Sequence, residues 1–216
     1  RGRLYLLRQN RNARRGRHRL RQRPMQDLQR INIKMYLEDP EALSAEEAFR
    51  VFNSWIPTTP DEILIDVTDY SHVPEGPVTL LVGHEANYSL DNDHAEPGLL
   101  YSRKRPAEGD LSARLSSALQ TVIKACQRLE SEPSLDGKVK FRGDDILLVA
   151  NDRLNATNDE EGENALRAEL EPVLAKLFAG ASFAIERDTT SQLRLNLRVR
   201  CDTDANTATL LSNLAA

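Results

Sequence analysis

The chain has few of the residues that usually mark a reaction centre or an anchor. It holds two cysteines, Cys126 and Cys201. Neither has a partner at CxxC spacing, so zinc-finger and thioredoxin-type chemistry have no sequence support and no disulfide framework is expected. No apolar run approaches the roughly 18 residues that a membrane helix needs. No short apolar segment with a small-residue cleavage site marks a secretory leader. Walker A and GxGxxG loops are missing, as are HExxH and GxSxG. His84-Glu85 is followed by Ala86-Asn87-Tyr88, which breaks the zinc-protease spacing. Aromatic residues make up 5% of the chain, which argues against a large aromatic ligand pocket. These absences favour a soluble protein of a reducing, cytoplasmic compartment.

Apolar residues amount to 40%, enough to form a core in a chain of this length. The net charge of −4 hides two unequal regions. Residues 1–24 carry ten Arg and no acid; residues 25–216 carry 19 basic and 33 acidic residues, a net −14. An acidic body repels nucleic acid unless its cations cluster on one face. The Arg-rich stretch reads in three ways: a basic arm for nucleic-acid phosphates, a transit peptide, or translated sequence upstream of a start at Met25. The third is preferred. We expect a non-globular extension over 1–24 and a single α+β domain over 25–216.

Period-two alternation at Ile31, Ile33, Met35 and Leu37 predicts a strand. Ser44 and Glu47 form a capping box ahead of Ala48, Phe49, Phe52, Trp55 and Ile56 at helical spacing. Residues 62–72 and 78–90 are expected as two strands of a hairpin closed by Pro74-Glu75-Gly76-Pro77, with a third strand over Leu99–Lys104. Asp110 caps a long helix with the stripe Leu111, Leu115, Ala118, Leu119, Val122, Cys126 and Leu129. Short strands are expected at 139–141 and 146–150. A helix follows over about 160–179 with Pro172 inside it, then strands at 182–186 and 193–200 and a short helix near 207–214. Consecutive strands imply antiparallel pairing. The expected fold is α+β: a mainly antiparallel sheet of about seven strands with three helices packed on one face.

The segment from Asp66 to Asp93 concentrates the unusual residues. Pairing Val73 with Val78 would set Asp66 opposite Glu85, and pairing Leu90 with Leu99 would set Glu85 opposite Lys104. Asp66, Glu85 and Lys104 would then form a row across three strands, with Gly83 leaving space for a ligand. Opposed carboxylates call for a cation or a shared proton. Asp66, Glu85 and His84 are therefore candidate catalytic groups. His72, Arg103 and Lys104 are candidate ligand contacts, and His72, His84 and Glu85 candidate ligands of a divalent metal. The bland alternative is a solvated charge ladder, with His84 pointing into the core in phase with Val82 and Tyr88. Asn151, Asp152 and Arg153, directly after a strand, form a second candidate contact set, which ordinary turn chemistry also explains.

The motifs LIDVTDYSHVPEGPVTLLVGHEANYSLD at 64–91, GLLYSRKR at 98–105 and NDRL at Asn151–Leu154 carry a resemblance. The chain resembles an uncharacterised bacterial family of single-domain cytosolic proteins that share an IDV-DYSHV, GHEA-Y-LD and GLLYSRK signature. The resemblance runs from about Ile31 to Leu214 and supports Met25 as the start. It implies no activity and no catalytic residues.

Three functions compete. The first is binding of a small molecule or a protein partner on the polar face around Asp66, Glu85 and Lys104. The second is a metal-assisted hydrolase centred on the 66–85 hairpin. The third is nucleic-acid binding through the basic arm. An antiparallel sheet with one open face also permits homodimerisation.

Overall fold

The apolar alternation that begins at Ile31 builds the central strand of an eight-stranded antiparallel sheet. The structure is a computed structural model and describes residues 25–73, 76–189 and 194–216. Its strands are β1 (Ile31–Leu37), β2 (Leu64–Asp69), β3 (Pro77–Gly83), β4 (Ala86–Asp91), β5 (Gly98–Arg103), β6 (Phe141–Ala150), β7 (Phe183–Arg187) and β8 (Leu195–Cys201). They lie in the order β2-β3-β4-β5-β1-β6-β8-β7. Four helices accompany them: α1 (Ala45–Trp55), α2 (Leu111–Glu130), α3 (Glu160–Leu177) and α4 (Thr207–Ala215). The fold is α+β, with one strand and one helix more than the expected counts. The Arg-rich stretch 1–24, and the Pro74-Glu75 half of the turn ahead of β3, lie outside the described residues.

Helix boundaries follow local chemistry. Ser44 and Glu47 close the expected capping box on α1. Asp110, Asp159 and Asn206 cap α2, α3 and α4 through their side chains. α3 runs through Pro172 and is followed by Gly180 at φ 82°, which relieves the helix end without a Cβ clash.

Antiparallel registers align the inward residues of every strand. Val67, Leu81, Tyr88, Tyr101, Ile33, Leu148 and Leu197 form one continuous row across seven strands, and all are buried. The helices cover this face. α2 lies over β1 and β5, α1 over β2 and β3, and α3 and α4 over β8 and β6. Every residue of the expected α2 stripe is buried, and Cys126 meets Met35 of β1 with the sulfurs 3.7 Å apart.

Two expectations about strands are corrected. Residues 78–90 are not one strand. The chain reverses at His84-Glu85, so β3 and β4 form a hairpin of their own, with Val82 opposite Asn87. The inward residues of β3 are Thr79 and Leu81, not Val78, Leu80 and Val82. Residues 139–141 and 146–150 are not separate strands either. β6 is continuous but bulged: Met35 pairs with Ile146 while Leu37 pairs with Phe141. The extra residues break the inward–outward alternation, so that Phe141 and Ile146, an odd number of positions apart, are both in the core, while Asp145 beside Ile146 faces outward.

That outer face is polar yet closed over β1. Lys34 is 2% exposed and its ammonium donates to Asp91 Oδ1 at 2.6 Å. The Tyr36 ring lies 4.5 Å beneath the Arg198 guanidinium. Arg198 is held by Asp145 through two bonds of 2.8 Å and by Glu96 through bonds of 2.7 and 2.8 Å. Arg142 adds a third contact to Asp145 at 3.2 Å. Asp145 is 1% exposed, so its charge depends on these arginines. Burial pushes the Tyr36 phenol up to about 12.

Asp145→Ala removes the buried carboxylate that Arg142 and Arg198 share and leaves each with its outer partner alone, Asp144 and Glu96. It should cost about 3–5 kcal/mol in urea unfolding. Asp66→Ala, at an exposed position, should cost less than about 0.5 kcal/mol. Equal costs would contradict the role assigned to Asp145.

Candidate ligand-binding cleft

The register of β4 with β5 creates the site. It sets Leu90 opposite Leu99, as expected, and therefore Tyr88 opposite Tyr101 and Ala86 opposite Arg103. All of these face the helices. The Tyr88 and Tyr101 rings lie 5.5 Å apart, centroid to centroid. They floor a cleft of about 340 Å³ between the end of α1, the second half of α2 and the sheet. Trp55 closes it from α1; Thr121, Lys124, Ala125 and Arg128 line it from α2.

The wall residues are fixed by short-range contacts. The Arg128 guanidinium lies 4.4 Å from the Trp55 ring centroid. It donates to Thr59 Oγ1 at 2.6 Å and to Thr58 Oγ1 at 2.8 Å. Those hydroxyls in turn donate to carbonyls of Ser54 and Trp55, which ties the exit of α1 to α2. Tyr88 Oη donates to Glu62 Oε2 at 2.8 Å. Arg103 donates to Tyr101 Oη at 3.3 Å and sits 3.9 Å from Glu85 Oε2. The Trp55 indole N–H is buried with no hydrogen-bond partner among the described residues.

Charge in the cleft is unevenly matched. Lys124 and Arg128, one helical turn apart, form no ion pair among the described residues. Burial holds the Arg128 guanidinium below its ordinary value, a lowering that the Glu132 carboxylate opposes from a distance without forming an ion pair. Burial likewise raises the Glu62 carboxyl, a rise opposed by the Tyr88 hydrogen bond and reinforced by Glu85. Burial also raises the Tyr88 and Tyr101 phenols.

The sequence candidates scatter around this cleft. Glu85 and Arg103 line it. His84 sits in the β3–β4 turn, half exposed, with Nδ1 3.0 Å from Glu85 Oε1 and Nε2 3.2 Å from Arg105; it is not a core histidine. Gly83 opens no space, because a Cβ there would lie 2.5 Å from the Ala86 carbonyl oxygen across the tight turn. Asp66 pairs with Val82 rather than Glu85 and is exposed. The row Asp66–Glu85–Lys104 therefore does not form, although Lys104 N does donate to Glu85 O at 2.9 Å. His72 is exposed in the turn after β2, 6.3 Å from the Tyr70 ring. Among the described residues no three His, Cys, Asp or Glu side chains converge on a metal-sized site, so His72, His84 and Glu85 do not form the expected divalent-metal set.

Asn151, Asp152 and Arg153 follow β6, where Asp152 Oδ1 accepts from the backbone N–H of Leu154 and Asn155. That is turn chemistry, and none of the three lines the cleft. Sequence reasoning missed Trp55, Glu62, Tyr88, Tyr101, Lys124 and Arg128. The signal for two of them was present: the Leu90–Leu99 register already opposes Tyr88 and Tyr101. Lys124 and Arg128 flank the apolar stripe of α2, at its border with the cleft.

Comparison of the chain with protein-family models and with curated proteins finds no match. No helix among the described residues is long and apolar enough to cross a membrane.

Because burial raises the Glu62 carboxyl, the folded state favours its protonated form. That contribution is complete below the ordinary carboxylate range and is lost as pH rises through the folded value. Glu62→Gln keeps an acceptor for Tyr88 Oη and removes the titration. Melting temperatures from about pH 4 to about pH 8 should fall more steeply for the native protein than for the variant. Parallel curves would contradict the buried, ionising role of Glu62.

Proposed function

We propose that the protein binds a small organic anion, with a flat body on Tyr88 and Tyr101 and its charged group between Lys124 and Arg128. The observation that carries this reading is the pair of cations without carboxylate partners on the wall of an aromatic-floored cleft. The volume lies at the lower end of the small-molecule range of about 300–1,000 Å³. Arg128 is held in place by Thr58 and Thr59, so its donors are oriented before a ligand arrives. The flat guanidinium suits a carboxylate or a phosphate, and Lys124 adds a point charge. This site lies on the helix-covered face; of the row expected from the sequence, Glu85 lines it, and Asp66 and Lys104 do not.

Glu62 and Glu85 also line the cleft and oppose an anion. Glu85 is engaged by Arg103 and His84. Glu62 is the group whose burial already favours the proton. An arriving anion favours that proton further, so binding takes up a proton at Glu62 and strengthens as pH falls.

Trp55, the single tryptophan of the chain, reports on the cleft. Its fluorescence should change saturably with benzoate or phenyl phosphate and not with benzamide. Lys124→Ala and Arg128→Lys should each weaken binding about tenfold, roughly 1.4 kcal/mol. Glu62→Gln should strengthen it at neutral pH and flatten its pH dependence. Equal response to benzamide, or indifference to both cation variants, would overturn the reading.

A further inference from the structure

Among the described residues the sheet ends on one side in β2, whose one partner strand is β3. Its outer edge therefore presents backbone N–H and C=O groups to solvent with no neighbouring strand. Beside that edge stand Ile63, 66% exposed, and Ile65, 56% exposed; among the described large apolar residues only Leu154 is more exposed. The opposite edge, β7, is blunted by charges of both signs: Glu186 pairs with Arg200, and Arg187 with Glu163. β2 has no such protection. It contains neither Pro nor Lys, and its one irregularity is the bulge between Leu64 and Asp66.

The strand and the segments that flank it in sequence carry charge of one sign; Arg103, Lys124 and Arg128 approach only at its Leu64 end, across the cleft. Residues 51–102 contain nine Asp or Glu and no Lys or Arg. Asp61, Asp66 and Asp69 are exposed, and none forms an ion pair among the described residues. Pairing β2 with its own copy would bring two carboxylates from each strand, Asp66 and Asp69, into one ladder without a cation, which is unfavourable. An extended segment that carries basic and apolar side chains on both of its faces suits the same edge. Its backbone completes the ladder, its apolar residues cover Ile63 and Ile65, and its cations meet Asp66 on the outer face and Asp69, opposite Thr79, on the inner face.

We infer that the β2 edge is a docking site for an extended, basic segment of a protein partner, which adds to the sheet as a ninth strand. The bulge at Ile65 limits the length of the new ladder and favours a short segment. The cleft above reaches β2 only at Leu64 and at Asp61-Glu62 before it, and its lining includes none of Ile63, Ile65, Asp66 and Asp69.

A short capped peptide of repeated Lys-Lys-Val-Val, which places Lys and Val on both faces of a strand, is the probe, with two controls: the same peptide N-methylated at the alternate amides that would face β2, and its Glu–Val counterpart. Calorimetry on the full chain should detect binding of the Lys–Val peptide that weakens at roughly 0.5 M salt. The Glu–Val peptide should not bind. N-methylation should abolish binding, since it removes the donors of the ladder and keeps the charge. Asp66→Lys with Asp69→Lys should weaken binding at least about tenfold. Ile65→Lys should weaken it without lowering the melting temperature, because Ile65 is exposed. Equal binding of the N-methylated peptide would reduce the effect to diffuse electrostatics and overturn the proposal. So would indifference to the Asp66/Asp69 reversal, or a dimer of the free protein that Ile65→Lys dissolves.

Discussion

The structure depends on the burial of one face of α2 against β5 and β1. Leu111, Leu115, Leu119, Val122, Cys126 and Leu129 are all fully or almost fully removed from water along that face. Each large aliphatic side chain contributes about 1.5–3 kcal/mol by this burial, whereas an exposed ion pair adds about 0–1 kcal/mol. Packing therefore decides where α2 lies. Once the stripe is fixed, the helical period leaves no choice for its border residues. Thr121, Lys124 and Arg128 must stand at the edge of the contact, facing Trp55 from α1 and Tyr88 and Tyr101 from the sheet. The cleft is a by-product of two packing requirements, the α2 stripe and the Tyr88–Tyr101 register.

The two faces of the sheet solve different problems. The inner face is almost wholly apolar. The outer face has no helix above it, yet Asn32, Lys34 and Tyr36 of β1 are buried there. Long neighbouring side chains achieve this. Arg198 lies over Tyr36 while bridging Asp145 and Glu96, and Asp91 neutralises Lys34. These charges lean on one another in a region short of water, so losing one partner is more costly than at an ordinary surface. Asp145 reaches this cluster because Ile146 beside it faces inward, and the bulge in β6 lets Phe141 pair with Leu37 and stay in the core as well.

Much of the fold was legible because local and global signals agree. The Ser44–Glu47 box, the Asp110 cap, the α2 stripe and the alternation of β1 each point to one answer, and the structure adopts it. The β3–β4 turn was hidden for a physical reason. Val78-Thr79-Leu80-Leu81-Val82 is apolar or β-branched at every position, so alternation cannot say which residues face in. His84-Glu85 is not an Asn-Gly type of turn, and Gly83 resembles a bulge signal as much as a hairpin one. A turn assigned at Pro74–Pro77 alone shifted Asp66 by three positions along its partner and created a carboxylate row that does not exist. The cleft was less legible still. Its residues come from α1, α2, β4 and β5, and only the β4–β5 pair was linked by a readable register.

The central claim is that Lys124 and Arg128 hold an anion over the two tyrosines. The most direct measurement is a 1H–15N NMR titration of the full chain with phenyl phosphate, following the Trp55 indole, the Arg128 guanidinium and the backbone amides. The account predicts saturable shifts confined to the cleft: Trp55, Thr59, Tyr88, Tyr101, Lys124 and Arg128. Shifts centred instead on Arg142, Arg198 and Arg200, or none at the Trp55 indole and Arg128 guanidinium, would contradict it.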